Sequence, residues 1–166
     1  MQKRWLCLFV ENEIGVLAKI SGLFSGKSYN LDSLTVGTTE DATVSRMTIS
    51  LTSDDKTFEQ IKKQLNRSVE VIKVIDYTDM PVHIKELVFI KINDCGETDK
   101  SEIFRIAQVY GIKVIDYSQN TVLLECVQSE SRNDDLLALL RRSFSNKVEI
   151  ARSGSVAMEA VSITGE

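Results

Sequence analysis

The strongest constraint on this chain is a pattern of strand, helix, strand, strand, helix, strand that occurs twice, with the only proline, Pro81, between the copies. Lys3–Val10 (KRWLCLFV) is aromatic and aliphatic and predicts a strand. Asn12 is a good N-cap for a helix carrying Val16, Leu17, Ile20, Leu23 and Phe24 at three- and four-residue spacing, closed by Gly26 and Ser28. Asn30–Val36 and Thr43–Thr52 read as strands around a Gly37–Asp41 turn. Asp54 caps a second helix with Phe58, Ile61 and Leu65 on one face, and Val69–Ile75 is a β-branched strand. Beyond Pro81 come a strand at His83–Ile92 and a helix at Thr98–Tyr110 with Ile103, Ile106 and Val109 inward. A hairpin of Ile112–Tyr117 and Thr121–Val127 follows. Then come a helix at Asn133–Phe144 with Leu136, Leu137 and Leu140 inward, and a last strand at Lys147–Ala151.

Two right-handed βαβ units in that order give a four-stranded antiparallel sheet with both helices on one face. The fold expected is therefore α+β, with two ferredoxin-like βαββαβ domains. They span residues 1–77 and 83–166, joined by a linker at 78–82, and Ser153–Glu166 reads as a small-residue polar tail. A chain of 166 residues can bury a core without staples. Three scattered cysteines (Cys7, Cys95 and Cys126) argue against a disulfide framework and a zinc site; two buried thiols in strands and one in a loop are expected. No apolar run is long enough to span a membrane, and no leader pattern precedes the first strand. A cytoplasmic protein is expected.

Glu11–Leu17 (ENEIGVL), where the first strand turns into the first helix, carries the chemistry. A helix N-terminus offers unpaired N–H groups and about half a positive charge, which suits a carboxylate. Gly15 would let a ligand approach the N–H groups of Gly15, Val16 and Leu17, and Asn12 could cap the helix and still offer an amide. Glycine inside a helix costs about 0.5–1 kcal/mol relative to alanine, and close ligand approach would offset that. A capped helix with an early glycine is the plainer explanation of the same residues. Asn30, opening the second strand, is in isolation an ordinary turn asparagine.

ENEIGVL, GLF, YNLDSLTVG, TED, SRMTI (Ser45–Ile49), HIKEL (His83–Leu87) and ARSG (Ala151–Gly154), in this order and spacing, resemble the regulatory small subunit of acetolactate synthase (acetohydroxyacid synthase) over essentially the whole chain. The first half resembles an ACT domain. The resemblance implies a chain that is not itself a catalyst. It implies a catalytic partner that uses thiamine diphosphate, Mg and FAD, with no cofactor or metal in this chain. That partner would be activated by this chain, and would become sensitive to feedback by a branched-chain amino acid, usually valine. The resemblance further implies a homodimer through the ACT domains with the effector at their interface. There Asn12, Gly15, Val16 and Leu17 of one copy would face Asn30 and Leu31 of the other. Ser28 stands where the family commonly has glycine, Ile14 where it often has proline or a small residue, and Thr38–Ala42 lacks a common proline.

Other functions of such a fold fit less well. RNA recognition wants basic and aromatic residues on central strands, whereas Thr43–Thr52 has no aromatic and the net charge is -4. A metal chaperone would need Cys-x-x-Cys where this chain has ENEIG. One histidine, His83, supplies no nucleophile–base set. The pairs Asp54–Asp55 and Asp134–Asp135 read as helix-start acids and Arg141–Arg142 as helix-end cations. The remaining alternative is a free-standing ACT-type amino-acid sensor acting on a different enzyme.

Overall fold

The computed structural model describes residues 1–25, 29–145 and 147–162. The helix-closing role expected of Gly26 and Ser28 lies outside them. The element order is β1 (Gln2–Glu11), α1 (Val16–Ser25), β2 (Leu31–Thr38), β3 (Val44–Ser53), α2 (Asp55–Leu65), β4 (Val71–Asp76), β5 (Val82–Ile92), α3 (Glu97–Tyr110), β6 (Lys113–Tyr117), β7 (Val122–Gln128), α4 (Glu130–Ser143) and β8 (Val148–Glu159). Two four-stranded antiparallel sheets result, ordered β2-β3-β1-β4 and β6-β7-β5-β8, so the βαββαβ pattern occurs twice as expected. Met1–His83 together with Ser155–Glu166 form one compact unit, and Ile84–Gly154 form the other.

In the first unit, β1 and β3 pair along their whole length, from Gln2 opposite Ser53 to Glu11 opposite Val44. Alternation along a strand then separates two faces. Leu6, Leu8 and Val10, with Met47, Ile49 and Leu51, pack under Val16, Ile20 and Phe24 of α1 and Phe58, Ile61 and Leu65 of α2. Each such side chain contributes about 1.5–3 kcal/mol when fully buried. The other face carries Trp5, Cys7 and Phe9 opposite Ser50, Thr48 and Arg46. Asp54 caps α2 by accepting the Thr57 N–H at 2.9 Å. Asp55 in the first turn pairs with Arg4, whose guanidinium lies 5.1 Å from the Phe58 ring centre.

In the second unit, Val88, Ile90, Ile92, Val122 and Leu124 meet Ile103, Ala107, Leu136, Leu137 and Leu140. Val109, expected inward, is 75% exposed, and Ala107 takes its place. Six residues after Ile103 is most of the way round to the opposite face of a 3.6-residue helix, whereas four is not. α4 begins at Glu130 behind Ser129, three residues earlier than expected. Asp134 and Asp135 therefore sit in its second turn and do not cap it. Cys7 and Cys126 are buried in strands and Cys95 in a loop, all as free thiols.

The segment after Ala151 is not a polar tail: β8 continues to Glu159. Its small residues explain the misreading. Ser155 and Ala157 are the buried positions of the alternation, and they are small because they lie close against a sheet.

Candidate functional site

At the end of β1 the chain leaves the sheet through Asn12–Gly15 and enters α1. Gly15 has φ +88°, a left-handed conformation open to glycine at little cost, and it precedes the helix. Gly15 therefore lies before the helix and not in its first turn as expected, so no helix-interior penalty arises, and the left-handed turn itself calls for glycine. A Cβ at Gly15 would meet nothing within 4 Å.

Asn12 is not the N-cap. Its Nδ2 donates to the Ala42 carbonyl at 2.9 Å, and its Oδ1 accepts the Ser45 hydroxyl at 3.0 Å. Its backbone N–H donates to Thr43 O at 2.8 Å. The side chain thus ties the β1–α1 loop to the loop before β3, where Asp41 accepts both the N–H and the hydroxyl of Thr43. Those bonds, the hydroxyl first, hold the Asp41 carboxyl below the usual carboxylate range. Sequence inspection missed Ser45 and Ala42, because nothing local to a strand or a turn says what it touches 30 residues away.

The end of α1 is left electrostatically open. Its first turn holds no acidic residue, whereas α2, α3 and α4 each begin with at least one acid. The Val16 N–H goes to Glu13 O at 3.3 Å, and the Val16 side chain is buried in the core. Apolar side chains nearby are uncovered: Ile14 is fully exposed and Leu17 is 45% exposed. Val36 is 46% exposed, and it stands opposite Met47, so it belongs to the helix-covered face at the same end of the sheet.

Asn30 and Leu31 lie elsewhere. Leu31 is opposite Leu51, which is opposite Arg4, whereas Asn12 follows Glu11 at the far end of β1. Seven residues at about 3.3 Å each separate the two groups by roughly 20 Å. Within one chain the structure brings Asn12, Gly15, Val16 and Leu17 together and leaves Asn30 and Leu31 apart. β2 is an edge strand of its sheet.

Lys19 in α1 pairs with Glu70, which precedes β4. The Lys19 ammonium, then Glu70's own backbone N–H and the Ser68 hydroxyl, pull the Glu70 carboxyl from 4.5 to about 2. A carboxyl depressed on folding stabilises the fold above its unfolded pKa, and that contribution fades as pH falls from about 4.5 towards 2. An NMR titration should give Glu70 a midpoint near 2, returning towards 4.5 in Lys19→Met. An unchanged midpoint in that variant would show that the lysine is not the cause.

Among the described residues no group of three or more His, Cys, Asp and Glu could hold a metal ion, and no helix is long and apolar enough to cross a membrane.

Residues 6–73 match the family model described as the AHAS small subunit-like ACT domain, and residues 85–161 match that of the small subunit of acetolactate synthase. The acetolactate synthase small subunit of Aquifex aeolicus is 39% identical over 158 residues, 95% of this chain and 81% of that one. The chain belongs to the acetolactate synthase small-subunit family. Another relative, the isozyme 3 small subunit of Escherichia coli, is 35% identical over 94% of both chains. The crystal structure of the small subunit from Thermotoga maritima superposes with a TM-score of 0.85, at 34% identity, covering 96% of this chain and 98% of that one. The first unit's sheet is therefore that of an ACT domain, and membership of the family implies a catalytic-subunit partner.

Proposed function

We propose that this chain is the non-catalytic, regulatory subunit of a cytoplasmic acetolactate synthase. It activates a catalytic subunit that carries thiamine diphosphate, Mg and FAD. It also makes that enzyme sensitive to valine, bound between two ACT domains.

The observation that carries this reading is the roughly 20 Å separation of the two halves of the expected site. Two copies joined antiparallel along β2, about a two-fold axis, would set the start of each β2 beside the end of the other. Asn30 and Leu31 of one copy would then stand by Asn12–Leu17 of its partner. Joining copies through β4, the other edge, would leave them apart. The same arrangement covers an edge strand that otherwise invites indiscriminate pairing, and it shields Ile14, Leu17 and Val36.

In this site the open end of α1 receives the effector carboxylate, and the Asn30 side-chain oxygen and the Leu31 carbonyl take its ammonium. The exposed apolar side chains take the branched alkyl group. The effector controls the enzyme because it favours one arrangement of the paired domains over another.

Light scattering at micromolar concentration should give twice the 18.6 kDa of one chain. Calorimetric titration should show saturable binding of valine with one site per interface position. A monomer that binds none of valine, leucine or isoleucine, alone or with the catalytic subunit, would overturn the proposal.

A further inference from the structure

β8 leaves the second unit at Gly154, which has φ +79°, and its last residues belong to the first unit. There they are fastened to the sheet face opposite the helices. Thr35 Oγ1 donates to Ser155 O at 2.9 Å; outside the sheet, the Ala160 N–H donates at 3.0 Å to the carbonyl of Pro81, the residue before β5. The central fastening is Arg46. Its Nη2 donates to Ala157 O at 3.0 Å and to the Tyr77 hydroxyl at 2.7 Å, and its Nη1 lies 3.3 Å from Met158 Sδ. Its guanidinium stands 5.3 Å from the Phe9 ring centre, and the Tyr77 hydroxyl donates onward to Glu159 at 3.2 Å. Cys7, fully buried, is on this same face, two residues from Trp5 on one side and from Phe9 on the other, and opposite Thr48.

The residue before Arg46 is Ser45, whose hydroxyl holds Asn12 of the β1–α1 loop. Two consecutive residues of one rigid central strand therefore grip the effector loop on one side and the C-terminal strand on the other. Lysine could not replace Arg46, since an ammonium lacks the flat fork that meets three partners while lying on a ring.

We propose that Arg46 is the positioning residue that couples effector binding at the α1 end to the docking of Ser155–Ala160, and through the continuous β8 to the second unit. This rests on the effector reading above. Two sites linked in this way must show reciprocal coupling: valine should hold the strand down, and loss of the clamp should separate binding from response.

The test uses the full chain, with thiol-reagent labelling of Cys7 followed by peptide mass mapping. In the wild type, saturating valine should slow Cys7 labelling at least about fivefold. In Arg46→Lys, valine should bind within about twofold of wild-type affinity, Cys7 labelling should no longer respond, and inhibition of the catalytic subunit should be lost while activation persists. Tyr77→Phe, which removes the link to Glu159 and keeps the ring, should weaken the response partway and serves if the lysine variant fails to fold. A purely structural clamp would raise basal labelling in Arg46→Lys yet leave the valine response and inhibition intact; that result overturns the proposal. Valine bound by the wild type with no change at Cys7 also overturns it, with the effector reading left standing. A wild type that binds no branched-chain amino acid overturns both.

Discussion

Gly15→Asp should leave activation of the catalytic subunit intact while raising the valine needed for half-inhibition at least about tenfold. The carboxylate would stand at the open end of α1, where the proposed function puts the effector carboxylate. At an effective dielectric of about 20, like charges about 4 Å apart repel by about 4 kcal/mol, and a tenfold loss needs only about 1.4 kcal/mol. Space is not the obstacle, since a Cβ here meets nothing within 4 Å. Backbone strain is a competing cause: at φ +88° a side chain costs about 1–2 kcal/mol. Gly15→Asn separates the two causes. It matches aspartate in shape and tolerance of this conformation but carries no charge. The asparagine variant should keep most of the valine response in a steady-state inhibition assay with the catalytic subunit. Equal loss in both variants would assign the effect to the loop's conformation. Full sensitivity in the aspartate variant would remove the end of α1 from the site.

The sequence carried most of the fold because its apolar residues repeat at periods that admit one assignment. Leu6, Leu8 and Val10 can only be a strand face, and Phe58, Ile61 and Leu65 only a helix face. Where side chains are small, the period is silent. Ser155 and Ala157 look like tail residues because their burial comes from proximity to a sheet face and not from their own bulk. Asn133 misled for the opposite reason. It is polar and reads as a helix start, yet it is fully buried inside α4, where it donates to Glu86 and accepts from Cys126.

The candidate site was legible in its composition but not in its geometry. Asn12, Gly15 and Leu17 do lie together at one end of the sheet. The bonds of Asn12 to Ala42 and Ser45, and the Arg46 clamp on Ala157, join residues 30 to 111 positions apart. No local pattern in a single sequence encodes such a partnership. The resemblance to a regulatory family supplied the residues, and pairing register showed that one chain keeps Asn30 and Leu31 apart from Asn12–Leu17.

The largest stability effect should come from the second unit, at Arg152→Met. Glu86 is only 4% exposed, and its carboxylate takes Arg152 Nε at 2.8 Å and Nη2 at 2.7 Å, as well as Asn133 Nδ2 at 3.0 Å. Arg152 also reaches Asp134 at 2.7 Å. Forming this ion pair is no great gain, because desolvating both partners offsets their attraction. Breaking it is different: a buried carboxylate would lose both of its guanidinium hydrogen bonds. Loss of one partner of a buried pair costs about 3–5 kcal/mol, and the partial exposure of Arg152 argues for the lower end, about 3 kcal/mol. Glu86→Gln should cost less, about 1 kcal/mol, since Arg152 keeps Asp134 and water. The double variant Glu86→Met, Arg152→Met should be more stable than Arg152→Met alone, because no charge is then stranded. Hydrogen exchange at the β5 and β7 amides of the full chain reads these differences directly. The single tryptophan, Trp5, lies in the first unit and supplies the internal control. Its fluorescence in Arg152→Met should stay that of the wild type under native conditions while exchange in β5 accelerates. If exchange there is unchanged, or if the double variant is as unstable as the two single losses summed, the stranded carboxylate is not what the arginine prevents.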